Sequence, residues 1–169
     1  MQPTQIQPPL AVPQRSPVQY AGFWRRFVAY FIDQILIGVV AFMLFIPALA
    51  VFGIGLGAGM MEESPSAIGF ILAAIAAYLA TIVLIVILEW LYFALMESSV
   101  KQATLGKLAL GIVVTDLNGQ KITFGRATGR YFGKIISGLI LYIGFIMAGF
   151  TERKQALHDI MASTLVLLK

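Results

Sequence analysis

The chain of 169 residues is 59% hydrophobic and 12% charged, with no cysteine and one histidine, and its mean hydropathy is +0.88. Soluble domains carry about 45–50% apolar and about 25% charged residues, so this composition describes an integral membrane protein. Without cysteine there are no disulfides, thiolate zinc sites or cysteine nucleophiles, and a single histidine leaves no metal site to expect. The net charge of +4 is not a nucleic-acid footprint: no basic residue lies between Arg26 and Lys101, so the excess reads as membrane topology and contact with anionic lipid on the cytoplasmic face.

Residues 1–20 hold five of the seven prolines and five glutamines. That composition buries little apolar area and predicts a disordered cytoplasmic tail ahead of a membrane domain at 21–169. The first span is expected over about residues 27–52. Arg25 and Arg26 followed by an apolar run imitate a twin-arginine signal, but Asp33 interrupts the run and two more apolar segments follow, so the segment reads as retained in the membrane. Pro47 marks a bend or an end, and GIGLGAG (53–59) with MEESPS (61–66) reads as a connecting loop carrying Glu62 and Glu63. A second span, about 67–96, contains 21 uncharged residues from Ile68 to Leu88 and closes on Glu89, Trp90 and Tyr92, a pattern suited to a membrane interface.

Between Glu97 and Lys134 six basic residues face two acids, which places this segment and the N-terminus in the cytoplasm and the acidic loop outside. Within it, GIVVTD (111–116) and KITF (121–124) flank Asn118-Gly119, predicting a cytosolic β-hairpin over about 111–124. The last apolar stretch, 131–150, has just the length to cross, yet Gly133, Gly138, Gly144 and Gly149 equally suit a re-entrant pair of short helices. The expected fold is thus an all-α integral membrane protein with two full transmembrane helices, a third transmembrane or re-entrant segment and a small cytosolic β-hairpin.

Asp33 is the most informative residue, because an acid inside a membrane helix costs about 2.5–3.5 kcal/mol near the helix centre and must face protein or water. Arg26, Tyr30 and Asp33 share one helix face, with Gln34 at its border. Helical side chains lean toward the N-terminus, so Arg26 leans away from Asp33 and each is expected to have another partner. Asp33 reads either as a packing link or as a proton or small-cation site, and the second is preferred. Glu89 reads as an interfacial acid or a supporting ion site, and the His158-Asp159 pair as a local cap or a functional pair. Small residues at four-residue spacing (Gly129, Gly133, Ser137; Ala73, Ala77, Thr81) permit close helix contacts within or between chains. TLGKLALG (104–111) lacks the spacing of a phosphate-binding loop, and the intramembrane aspartyl protease, HExxH, nucleophile-elbow and GxGxxG patterns are missing. No enzyme and no cofactor are expected.

GFWRRFVAYFID (22–33), TLGKLALGIVVTDLNGQKITFGRATGR (104–130) and QALHDIMAST (155–164) together resemble the RDD family of small bacterial and archaeal membrane proteins, over about residues 20–168. The resemblance carries the family's arginine and two aspartates onto Arg26, Asp33 and Asp159, with Asp116 a competitor for the third; Tyr30, His158 and Glu89 would support them. It implies a multi-pass protein of the prokaryotic cytoplasmic (inner) membrane that transports a small ligand, with cation/proton exchange as one form, and it makes a contact between Arg26 and a cytoplasmic Asp159 attractive. A few spans surround no wide aqueous path, so a homo-oligomer is expected. The alternative is an accessory or scaffold subunit that recruits partners or lipids.

Overall fold

The computed structural model describes residues 18–61, 66–140 and 143–169. Most of the proline-rich tail, and the Glu62-Glu63 loop residues, lie outside the described residues. Helices α1 (Phe23–Met61) and α2 (Ser66–Ser98) dominate the fold. Each is apolar and long enough to cross a membrane; the 39 residues of α1 extend about 58 Å at 1.5 Å per residue. Contacts between Gly55 and Ala74 at one end and between Asp33 and Tyr92 at the other show that the two helices run antiparallel.

The glycine-rich stretch after Phe52 is helix, not loop, and α1 continues through Pro47. Two of these glycines are packing residues. A Cβ on Gly55 would sit 2.7 Å from the Ala74 Cβ, and one on Gly59 would sit 2.9 Å from the Ala67 carbonyl oxygen. Helices in lipid approach closely through small residues, and here that contact falls at Ala74, while Ala73 and Ala77 are exposed.

After α2 the chain forms a compact cap from α3 (Leu105–Ala109), β1 (Ile112–Asp116), α4 (Phe124–Leu139), α5 (Ile143–Ile146) with a 3-10 turn to Gly149, α6 (Leu157–Met161) and β2 (Thr164–Leu168). The antiparallel two-stranded sheet pairs β1 with β2, Ile112 opposite Leu168 and Asp116 opposite Thr164. The expected sheet is present, but the 111–124 pairing is replaced. The Asn118-Gly119 turn does form: Gly119 has φ +79°, and the Asp116 carboxylate accepts from the Asn118 and Gln120 amides at 2.9 and 2.8 Å. The returning segment then leaves for a helix instead of pairing, because Thr123 caps α4 by accepting from the Arg126 amide. Residues Gln19 to Ala21 bond to the free edge of β2, tying the start of α1 to the C-terminus. Ile112, Val114, Ile122, Ala127 and Val166 close a small core beneath.

The last apolar stretch is bent. The α4 axis and the helix from Ile143 to Gly149 stand at 117°, and α5 folds back so tightly that a Cβ on Gly144 would lie 2.8 Å from the Ser137 Cβ. The 131–150 stretch is thus not one straight helix, and its bend suits a broken span as well as a re-entrant pair.

Candidate functional site

Three carboxylates are shut away from the surface at the end where α1 begins and α2 finishes: Asp33 and Asp159 at 0% exposure and Glu97 at 1%. Each is fully partnered, as a buried charge requires. Asp33 projects from α1 toward α2 and α3. Its Oδ1 accepts from the Tyr92 hydroxyl at 2.8 Å and the Gly106 amide at 2.7 Å, and its Oδ2 from the Thr104 hydroxyl at 2.5 Å. The Leu105 amide donates to the Tyr92 oxygen at 3.0 Å, so the donors that open α3, which have no partner within their own helix, are used to hold it on α1 and α2. Gly106 is what allows the approach: a Cβ there would fall 2.0 Å from the Ala29 carbonyl oxygen.

A few ångströms of protein away runs a chain of ion pairs. Arg26, on the first turn of α1, bonds the Asp159 Oδ2 and donates its Nε to the Ala21 carbonyl at 2.8 Å. Arg130 of α4 joins two acids, giving Nε to the Asp159 Oδ1 at 2.8 Å and Nη1 to the Glu97 Oε2 at 2.7 Å. Lys107 of α3 completes Glu97 through its other oxygen, and Lys134, one turn beyond Arg130, stands 3.8 Å from the same oxygen with its ammonium over the Phe93 ring. Asp159 also accepts the Ala156 amide at 3.0 Å, capping α6. The network therefore binds α1, α2, α3, α4 and α6 through charges far apart in sequence.

The electrostatics outside the spanning helices follow from burial and partners. Burial opposes the charge on Asp159, but Arg130 and then Arg26 overcome it and hold the carboxyl well below the ordinary aspartate range. Burial pulls the Lys107 ammonium down to about 7 despite Glu97. Burial likewise pushes His158 down to about 3, against the pull of Asp159, so its imidazole is neutral; Nδ1 lies 3.3 Å from the Ser137 hydroxyl and the ring packs on Phe145.

Arg26 and Asp33 share a face yet have separate partners, while Arg26 and Asp159 do meet. Tyr30 stacks on Phe93 beside the network. Glu89 stands apart, accepting from Gln34 at 3.1 Å, and Asp116 serves the sheet turn. Thr104, Gly106, Lys107 and Arg130 lie inside the 104–130 segment that carries the family resemblance, yet neither they nor Tyr92, Glu97 and Lys134 receive a site role from the sequence. One signal for the cations was available: the buried face of α4 is Ala127, Arg130, Gly133 and Ser137, small residues with a cation at helical spacing. A cavity of about 340 Å³ borders the network, its lining including Arg26, Lys107, Arg130 and Lys134 together with phenylalanines and Ile146.

Comparison with known proteins places the chain in a family. Residues 20–163 match the RDD family model. The chain is 40% identical over 151 residues to the uncharacterized protein YxaI of Bacillus subtilis (strain 168), covering 88% of this chain and 97% of the relative. It is 31% identical over 153 residues to the uncharacterized membrane protein YteJ of the same organism, covering 87% and 80%. No solved structure matches. With the family model spanning Arg26, Asp33 and Asp159, and with two membrane-length helices of which α1 carries Arg26 and Asp33, the chain is a membrane protein that belongs to the RDD family.

Proposed function

We propose that the protein transports a small ligand across the prokaryotic cytoplasmic membrane, with its N-terminus cytoplasmic and the charge network at the cytoplasmic end of the path. The observation that carries this reading is a continuous chain of buried ionised side chains beside a cavity, at one end of two membrane-length helices. Ionisable groups in such positions are expensive to keep and mark substrate or ion routes. Asp33 supports proton or small-cation exchange as the coupling. Three donors converge on its carboxylate, so a proton arriving there puts a fourth hydrogen among them and weakens the hold of α1 on α3. A second copy of the chain would supply the remaining walls of an aqueous path.

The test is proton and cation flux in proteoliposomes holding wild type or Asp33→Asn, each confirmed to elute as a single species. Transport predicts flux in the wild type that disappears in the variant; full exchange by a well-folded variant removes Asp33 from the mechanism.

The accessory or scaffold reading is favoured by one observation, the complete hydrogen bonding of Asp33, which a purely structural link also requires. Under it Asp33→Asn lowers abundance and assembly, wild type moves no ion, and partners or lipids recruited through the tail and basic segment copurify.

A further inference from the structure

The cavity beside the network is built for the opposite charge to a metal ion. Four cationic side chains, Arg26, Lys107, Arg130 and Lys134, border it with Asp33 as the one carboxylate in its wall. The other two acids, Glu97 and Asp159, are already taken, each by at least two cations. Counting all three acids against the four cations, the cluster carries an excess of one positive charge, and with Lys107 uncharged it still balances. A cation entering here meets Glu97 and Asp159 already paired, and only Asp33, which accepts three hydrogen bonds, keeps room on its carboxylate for a proton or one more partner.

Donor capacity, in contrast, is left over. The Arg26 Nη2 is buried with no acceptor among the described residues, an uncommon state for a guanidinium nitrogen that calls for a partner. Lys134 reaches Glu97 only at 3.8 Å and rests its ammonium on the face of Phe93, so two of its three hydrogens or more await an acceptor. The rest of the wall is mostly apolar, with Phe23, Phe27, Phe145 and Ile146 beside the rings of Tyr30 and His158. Phe27 and Ile146 are also about half exposed, so part of the cavity's apolar wall is open to an apolar tail. Its volume of about 340 Å³ falls within the range of small-molecule pockets, about 300–1,000 Å³.

The geometry points to a binding site for an amphipathic oxyanion, a phosphate- or carboxylate-headed molecule with a hydrocarbon tail, its head on Arg26 and Lys134 and its tail against Phe23, Phe27 and Ile146. This rests on the proposed transport function only in making such a molecule the ligand that moves; the site itself stands on the cavity. On this reading the Arg26 guanidinium turns so that Nη2, buried and unpartnered among the described residues, reaches the head group while the ion pair with Asp159 is kept. Charge-assisted bonds of this kind are the strong ones, and the tail supplies affinity through apolar contact.

The experiment is equilibrium binding to the purified full chain in a maltoside detergent, stripped of lipid, with decyl phosphate, inorganic phosphate and decyl trimethylammonium as probes. The expected result is saturable binding of decyl phosphate, at least about tenfold weaker binding of inorganic phosphate, and none of the ammonium. Lys134→Gln should weaken decyl phosphate about tenfold. Ile146→Trp, which narrows the cavity without touching a charge, should abolish binding while thermal stability is kept. Displacement by phosphatidylglycerol in mixed micelles identifies a bilayer lipid as the source of the head group; binding that resists it identifies a free amphiphile. The inference is overturned if the ammonium binds as well as the phosphate, if inorganic phosphate matches decyl phosphate, or if both folded variants bind like wild type. Because no membrane separates two compartments in this assay, binding without any flux in proteoliposomes would sink transport and leave the site, and flux without binding would do the reverse.

Discussion

Gly106 donates its amide to the Asp33 carboxylate at 2.7 Å across a gap between α3 and α1 in which no side chain at residue 106 fits. The membrane helix and the following cap are joined at this point by a backbone donor, and the acid in the helix is stabilised by hydrogen bonds, with no ion pair among the described residues.

Gly106→Ala is therefore expected to destabilise the protein. In an unencumbered helix the change would stabilise by up to about 1 kcal/mol. Here the new Cβ meets the Ala29 carbonyl oxygen at 2.0 Å, and forcing such a contact costs about 1–3 kcal/mol or more. A lowered apparent Tm in detergent, with Asp33 unable to keep its bond to residue 106, is the expected outcome; a raised Tm would show that the two helices are not held together here.

Arg130 is the most consequential single cation, because among the described residues it alone pairs with both Glu97 and Asp159. Breaking a buried pair from one side costs about 3–5 kcal/mol, and Arg130→Gln should lose at least that. Arg26→Gln should lose less, since Arg130 still neutralises Asp159 and Arg26 is closer to the surface. Adding Glu97→Gln to Arg130→Gln should restore part of the loss, as the stranded carboxylate is removed. Denaturation of wild type, Arg130→Gln, Glu97→Gln and the double variant in the same detergent measures the coupling, with Arg26→Gln beside them; strict additivity would mean the network is no network.

How far the sequence anticipates this site depends on how local each signal is. Two apolar helices, the acid facing protein at Asp33 and separate partners for Arg26 and Asp33 all follow from spacing along one helix. The meeting of Arg26 with Asp159 follows from family resemblance. Glu97 and Arg130 instead look like ordinary charges at a helix end and in a basic loop, because what buries them is each other, across 33 residues. Gly55 and Gly59 mislead in the same way: glycine breaks a helix in isolation, but at these two positions it is what lets α2 come close. The Asn118-Gly119 turn is real, yet a turn fixes only the reversal of the chain and not what the returning segment pairs with.

The neutral His158 should make stability depend on pH in a defined window. Its native value lies near 3 against 6.5 in an unfolded chain. Between these values the unfolded state binds a proton that the native state refuses, so stability falls as the pH is lowered from about 6.5, at about 1.4 kcal/mol per unit. Asp159, whose native value is also depressed, adds a loss of the same sign only below its ordinary 3.8. Apparent Tm measured from pH 7 to pH 4 should therefore decline in the wild type, and the decline should flatten in His158→Gln, which cannot titrate. An unchanged slope in the variant would assign the acid sensitivity to other groups.

The pairing of β1 with the C-terminus can be trapped directly, since the chain has no cysteine of its own. Val113 lies opposite Leu167 in the register, and directly opposed residues of antiparallel strands have Cα atoms about 4.5–5.5 Å apart, a separation a disulfide can bridge. Val113→Cys with Leu167→Cys should oxidise to an intramolecular disulfide in the purified protein, visible as a mobility shift reversed by reductant. In a 111–124 hairpin centred on Asn118-Gly119, Val113 would face Phe124 instead, but Phe124 begins α4 and packs on Trp90, so Val113→Cys with Phe124→Cys should stay reduced under the same conditions. The first crosslink also closes a loop around α4 and α6, the elements that carry Arg130 and Asp159. A raised apparent Tm that accompanies the disulfide and is lost in Arg130→Gln would show that the sheet and the charge network unfold as one unit.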